Sequence, residues 1–166
     1  MEVLFSPDVP SVTYALRECL KATKSLDMVF FLIGSRRLSR YIIRAHRKGI
    51  RVRVVTDGKV SKSRNSVNWY LQKYGVDVRA VKVSRGSMHS KFILIDGKRV
   101  ILGSANITND ADRRNHEFLI LSDDSELVSK FRDKFEELWA VSKKQTYKKK
   151  KEHHKKKEKR KIQLLT

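Results

Sequence analysis

The sequence predicts an α/β fold, a mixed and mostly parallel sheet of about seven strands with helices packed on both faces. Three features carry that expectation. Over residues 1–83, short apolar runs alternate with stretches of helical periodicity, the order of a parallel sheet whose crossovers cover both faces. Three more apolar runs then follow without a helical stretch between them. An amphipathic segment closes the apolar part of the chain, and no internal repeat is visible.

In chain order, Val3 to Phe5 reads as a short strand, and Pro7 to Ser11 as a turn feeding a helix that runs to about Lys24, starting at Pro10 or Ser11. Leu26 to Ile33 is a continuous apolar run broken by one Asp, as expected of a strand covered on both sides. Leu38, Tyr41, Ile42 and Ala45 recur at helical spacing, with Gly49 placed to end that helix. Arg51 to Asp57 reads as a strand, Ser66 to Tyr74 as a helix stopped by Gly75, and Val76 to Val83 as a strand. The remaining strands are Lys91 to Asp96, Arg99 to Leu102 and Glu117 to Ser122, followed by a helix over Ser125 to Ser142. Trp69 with Tyr70, and Trp139 with Phe131 and Phe135, are at or near helical spacing and are assigned to the core.

The 166 residues suit one domain with a hydrophobic core. Composition breaks at Lys143, which sets a domain over 1–142 apart from a Lys-rich tail over 143–166, expected to be disordered or an extended helix. The tail holds half of the net charge of +20, so the domain is strongly basic in its own right. That sign favours polyanions through counterion release, and would also attract an anionic membrane. The single Cys19 excludes an intrachain disulfide and a cysteine zinc cluster, and its helical phase marks it as a buried thiol. Neither a secretory signal nor an apolar run of bilayer length is read, so the expected location is cytoplasmic, with membrane contact not favoured.

The chemistry is concentrated between Met88 and Glu117. Strand alternation makes His89 and Lys91 neighbours on one face. Asp96-Gly97-Lys98 reads as a turn, and a two-residue loop at Gly97-Lys98 would place Lys91 opposite Ser104 and His89 opposite Asn106. An ammonium, a hydroxyl and a carboxamide suit the non-bridging oxygens of a phosphate, Gly103 leaves room for close approach, and the imidazole is left to make the bond. Asn115 and Glu117 alternate onto one face, where a carboxylate can hold the imidazole in one tautomer. Asp96 faces away and is expected to be structural, paired with a basic group behind the sheet. Arg113 and Arg114, together with Lys62 and Arg64 in the basic loop 57–65, are candidates for contacts with flanking phosphates; both loops read equally well as solvated connections.

The spacing His89-x-Lys91, four residues, Asp96, six residues, Gly103-Ser104-x-Asn106 resembles the phospholipase D signature, H-x-K-x4-D-x6-G-S-x-N. Residues 1–142 resemble the short members with one signature per chain, the branch of the bacterial periplasmic nucleases and the Zucchini nucleases. The chain is expected to lack the export signal of the former and the membrane anchor and Cys/His zinc element of the latter. The resemblance implies a phospholipase D-like fold, His89 as nucleophile, Lys91, Ser104 and Asn106 as phosphate ligands, and Glu117 as the partner of His89. It implies no cofactor and no metal.

Hydrolysis through a phosphohistidine needs a nucleophile on one side of phosphorus and a proton donor on the other, and one signature supplies one histidine. A homodimer with a two-fold axis beside His89 would supply the second, and two Lys91 side chains would provide the charge that Mg²⁺ otherwise gives. The leading expectation is therefore a metal-independent endonuclease acting on DNA or RNA. The alternatives are a phosphodiesterase of cardiolipin-like lipids and a non-catalytic nucleic-acid-binding protein.

Overall fold

Apolar runs of 4 to 7 residues become the strands β1 (Glu2–Ser6), β2 (Ser25–Phe30), β3 (Arg51–Asp57), β4 (Asp77–Val81), β5 (Phe92–Ile95), β6 (Arg99–Gly103) and β7 (Glu117–Ser122). A computed structural model describes residues 1–146, and the last of these add a two-residue strand, β8 (Lys143–Lys144). The helices are α1 (Ser11–Cys19), α2 (Arg36–Arg47), α3 (Asn68–Lys73), α4 (Asn109–Arg113) and α5 (Ser125–Val141). The tail expected over 143–166 lies outside the described residues from position 147 onward.

All the strands join one sheet in the order β1-β7-β6-β5-β2-β3-β4-β8. Five strands run in one direction, but parallel pairing is confined to β2-β3-β4, and every other neighbouring pair is antiparallel. The expectation of a mostly parallel sheet therefore holds for strand direction and not for pairing. The reason is connection length: a parallel pair requires a long crossover, which only the helical first half of the chain provides.

Alternation divides the sheet side chains between two cores. Leu26, Met28, Val52, Val54, Ile93 and Ile101 point to the face covered by α1, α2 and α3, and Val29, Val55, Phe92 and Leu94 to the face where α5 sets Phe135. Trp139 packs beside Phe135, as the sequence reading assigned it. Cys19 is buried in the first core, and burial pushes its thiol up to about 12.

Asp96 explains two departures. The helix expected to reach Lys24 stops at Cys19, because the backbone N–H groups of Thr23, Lys24 and Ser25 all donate to the Asp96 carboxylate, at 2.9, 2.7 and 2.9 Å. The partners of Asp96 are backbone amides and the Thr23 hydroxyl rather than the basic group expected. Asp96 and Gly97 both adopt positive φ, 53° and 64°, and Lys98 N donates to Ile95 O at 3.0 Å. The ladder resumes with Ile95 opposite Arg99, a three-residue loop that shifts the expected register by one: Lys91 O receives the Gly103 amide, not a partner at Ser104.

Helix α4 was not expected; five residues are too few to show a period. It forms because the Thr108 hydroxyl caps Ala111 N, and because buried Asp112 accepts from Thr13 N and Oγ1 at 2.7 and 2.8 Å and from Arg37 at 2.8 Å.

Although partial burial raises the Asp96 carboxyl, the amides of Ser25, Thr23 and Lys24 outweigh it and hold the group below the usual carboxylate range. A depressed folded-state pKa gives stability that is present above the unfolded value, about 3.9, and lost as the pH falls through the folded one. Asp96→Ala is expected to cost about 1–3 kcal/mol at neutral pH, and to flatten the loss of stability below about pH 4, both read by denaturant titration across pH.

Candidate active site

At one edge of the sheet β1, β2, β3 and β6 end while β5 and β7 begin, so Ser6 lies opposite Glu117 and Phe92 is flanked by Val29 and Leu102. Every polar residue of the signature except Asp96 falls at that edge. Asp96 lies at the other end of β5, away from the site.

His89 and Lys91 stand in the irregular segment just before β5, not in the strand itself. Lys91 Nζ lies 3.0 Å from His89 Nδ1 and donates to the His89 carbonyl at 2.7 Å. An ammonium can only donate, so Nδ1 accepts and the neutral ring carries its proton on Nε2. The exposed imidazole rests on Phe31, with ring centroids 4.6 Å apart. Desolvation lowers the Lys91 pKa from the usual lysine value, and the Glu117 charge opposes that shift.

Glu117 opens β7 and is engaged on both oxygens, by Ser104 Oγ at 2.5 Å and by Asn115 Nδ2 at 3.3 Å. Ser104 Oγ in turn accepts from Phe118 N at 3.1 Å, which ties the end of β6 to the start of β7. The expected pairing of Glu117 with His89 is not made in this arrangement, since Lys91 faces the ring nitrogen and Ser104 and Asn115 take the carboxylate. Asn106 Oδ1 accepts from Leu32 N at 3.1 Å, which commits the oxygen and turns the carboxamide NH₂ into the available donor. Gly103 is needed for a different reason from the one expected: a Cβ there would run into the carbonyl oxygen of Phe118 on the neighbouring strand.

Beside these residues runs an open groove of about 800 Å³, lined among others by Arg64, Asn65, Asn106, Arg113, Arg114 and Asn115. Three of the four expected flanking cations meet there; Lys62, in a 3-10 turn at Val60–Lys62, is not in its lining. Arg114 pairs with Asp110 at 3.1 Å and Arg113 with Asp112 at 3.5 Å, both arginines being well exposed. Of the two, the Arg114–Asp110 pair is exposed on both sides, and such pairs are worth roughly 0–1 kcal/mol and exchange readily for a phosphate. Phe31 and Asn65 escaped the sequence reading, because an aromatic residue after a strand and an asparagine in a polar loop carry no distinguishing spacing. Among the described residues, no group of three or more His, Cys, Asp or Glu side chains gathers as a metal set, and no helix is long and apolar enough to cross a membrane.

Comparison with known proteins bears on this arrangement. Residues 16–139 match the family described as cardiolipin synthase, PLD-like domain. The mitochondrial cardiolipin hydrolase of Danio rerio is 38% identical over 132 residues, covering 80% of this chain and 58% of that protein. The chain thus spans little more than half the length of that relative, and the same holds for the mouse protein of that name. Among solved structures, NucT from Helicobacter pylori superposes with a TM-score of 0.77 at 25% identity, over 85% of this chain and 96% of that one. The phospholipase D family member Nuc from Salmonella typhimurium gives a TM-score of 0.80 at 21% identity, over 88% and 97% of the two chains, and shares the fold.

Gly103→Ala tests the fit of the edge. Overpacking against the Phe118 carbonyl is expected to cost about 1–3 kcal/mol and to break the contact of Ser104 with Glu117. Thermal unfolding together with the Phe118 amide shift checks both, and an unperturbed Phe118 amide would contradict the reading.

Proposed function

Because the chain belongs to the phospholipase D superfamily, we propose that it is a metal-independent phosphodiesterase, an endonuclease that cleaves DNA or RNA through a phosphohistidine at a homodimeric site. The observation that carries the nucleic-acid reading is the groove that Arg64, Arg113 and Arg114 line together with Asn106 and Asn115. A polymer needs cations beyond its scissile phosphate, and the three arginines of this groove supply them.

In the proposed reaction the phosphate draws the Lys91 ammonium onto its non-bridging oxygens, with Asn106 and Ser104 as further donors. That move releases Nδ1 of His89: the ring proton passes from Nε2 to Nδ1 through solvent, Nδ1–H then donates to Glu117, and Nε2 is free. Nε2 attacks phosphorus, and the P–O bond to the leaving oxygen breaks as His89 of the partner subunit gives that oxygen a proton. The same partner imidazole then takes a proton from water, whose hydroxide attacks the phosphohistidine and returns His89 with a phosphate monoester. The reaction so written needs the attacking imidazole neutral and its twin protonated.

A strip of apolar side chains beside the site supports a second copy as the partner. Val3 and Ile120 are paired across β1 and β7, as are Phe5 and Phe118, so all four share the face that α5 covers farther along the sheet. Phe5 is 56% and Phe118 41% exposed, and Phe118 directly follows Glu117. A two-fold contact over this strip would bury it and bring the second His89 toward the first.

The second reading is a phosphodiesterase of cardiolipin-like lipid. It is favoured by the names of the sequence relatives, which are cardiolipin hydrolases. Purified protein incubated in EDTA with single- and double-stranded DNA, RNA and cardiolipin vesicles separates the two, with His89→Asn as control. Nucleic acid should be cut and the control should be inert; turnover of vesicles alone would replace the first reading with the second. Arg113→Ala and Arg114→Ala should each weaken binding uniformly across sequences and lower the salt slope by about 1. Phe118→Glu should yield monomers without activity, and a fully active monomer in sedimentation would refute the shared site.

A further inference from the structure

His89 stands in a stretch without regular structure, between the end of β4 at Val81 and the start of β5 at Phe92. The chain is fastened on either side of it. Downstream, Gly103 N donates to Lys91 O at 3.4 Å. Upstream, the amide of Met88 donates to Asp57 Oδ2 at 2.9 Å. Met88 itself is buried in the core under α5, so this hydrogen bond fixes the residue adjoining the imidazole at the point where it leaves the core.

Asp57 is the last residue of β3 and is 1% exposed. Its other oxygen, Oδ1, accepts from Lys59 N at 2.9 Å and Val60 N at 3.0 Å, which folds the start of the 58–65 loop around the carboxylate. A second tie joins the same two segments, since Lys59 Nζ donates to Gly86 O at 2.9 Å. A third lies at the root of the loop, where Gly58 N donates to Val81 O at 2.7 Å and a Cβ on Gly58 would meet that oxygen at 2.8 Å. The loop that delivers Arg64 to the groove and the segment that presents His89 therefore share one buried carboxylate.

We propose that Asp57 is a positioning residue for the reaction: it sets the height of His89 above the sheet edge and couples that height to the loop carrying Arg64. The proposal rests on the phosphodiesterase reading and adds to it a residue that touches neither substrate nor imidazole. A carboxylate serves because three N–H donors converge on it from two segments, and a neutral carboxamide would turn an N–H₂ toward one of them.

The test compares Asp57→Asn with wild type on two substrates, bis(p-nitrophenyl) phosphate, which has no flanking phosphate, and a single-stranded oligonucleotide. Misplacement of a reacting group by about 1 Å costs on the order of 100-fold in rate. The expected result is a drop in kcat of roughly 10- to 100-fold on both substrates, with KM for the small one unchanged. Hydrogen exchange by NMR should show the Met88 amide losing protection and the His89 ring resonances broadening. Lys59→Met, at the surface and removing only the second tie, should lower kcat in the same direction by a few-fold in a chain whose core is untouched. Wild-type kcat in both variants, or an effect on KM for the oligonucleotide alone, would overturn the proposal. If wild type cuts no phosphodiester, the function reading fails by itself; the Met88 amide and the His89 ring then decide the positioning role, and unchanged signals in Asp57→Asn overturn it.

Discussion

The polar groups of this site hang from a single edge of an otherwise apolar sheet, and strand direction is the constraint that puts them there. β5 and β7 run against β1, β2, β3 and β6, so the segment leading into β5, the polar start of β7 and the ends of the other four strands meet at one rim. Direction is in turn secured at the far rim, where the amides of Thr23 to Ser25 close on Asp96 and lock the β5-β6 turn to the start of β2. A residue remote from the chemistry thus sets the register that brings Gly103 beside Lys91, and through it the neighbourhood of Ser104 and Glu117.

Electrostatics gives the rim its character. The site holds a lysine whose charge is partly desolvated, an imidazole that accepts from it, and a carboxylate satisfied by neutral donors. The lysine contact is one that an anion can improve. A phosphate offers Lys91 a full charge in place of a ring nitrogen, and the exposed arginines of the groove can exchange carboxylate partners for phosphates at little cost. The signature supplies one histidine per chain, while the bond-making and leaving-group protonation of the proposed reaction call for two, and an apolar strip on β1 and β7 adjoins the rim.

Much of this was legible in the sequence because apolar runs and helical periods report burial directly. The seven main strands and four longer helices follow from them, and the signature spacing brought His89, Lys91, Ser104, Asn106 and Glu117 into view together. What the sequence hid were the features decided by single hydrogen bonds. The turn at Asp96-Gly97 takes three residues rather than two because Asp96 itself adopts positive φ, with its carboxylate held from across the sheet. The five-residue α4 depends on a buried Asp112 anchored to Thr13 and Arg37, which are distant in sequence. Phe31 and Asp57 have no marking in the chain, since their importance lies in what they touch, a ring and an amide beside the nucleophile.

The central claim is that His89 carries the phosphoryl group while the imidazole of a second chain moves the proton. Rapid quenching at alkaline pH with a substrate labelled at the scissile phosphate, followed by peptide mapping of the trapped protein, examines it directly. The account expects label on His89 alone, at about one group per two chains, since one ring of each pair attacks while the other titrates. Turnover with no trapped label under conditions where phosphohistidine survives, or label on another residue, would contradict it.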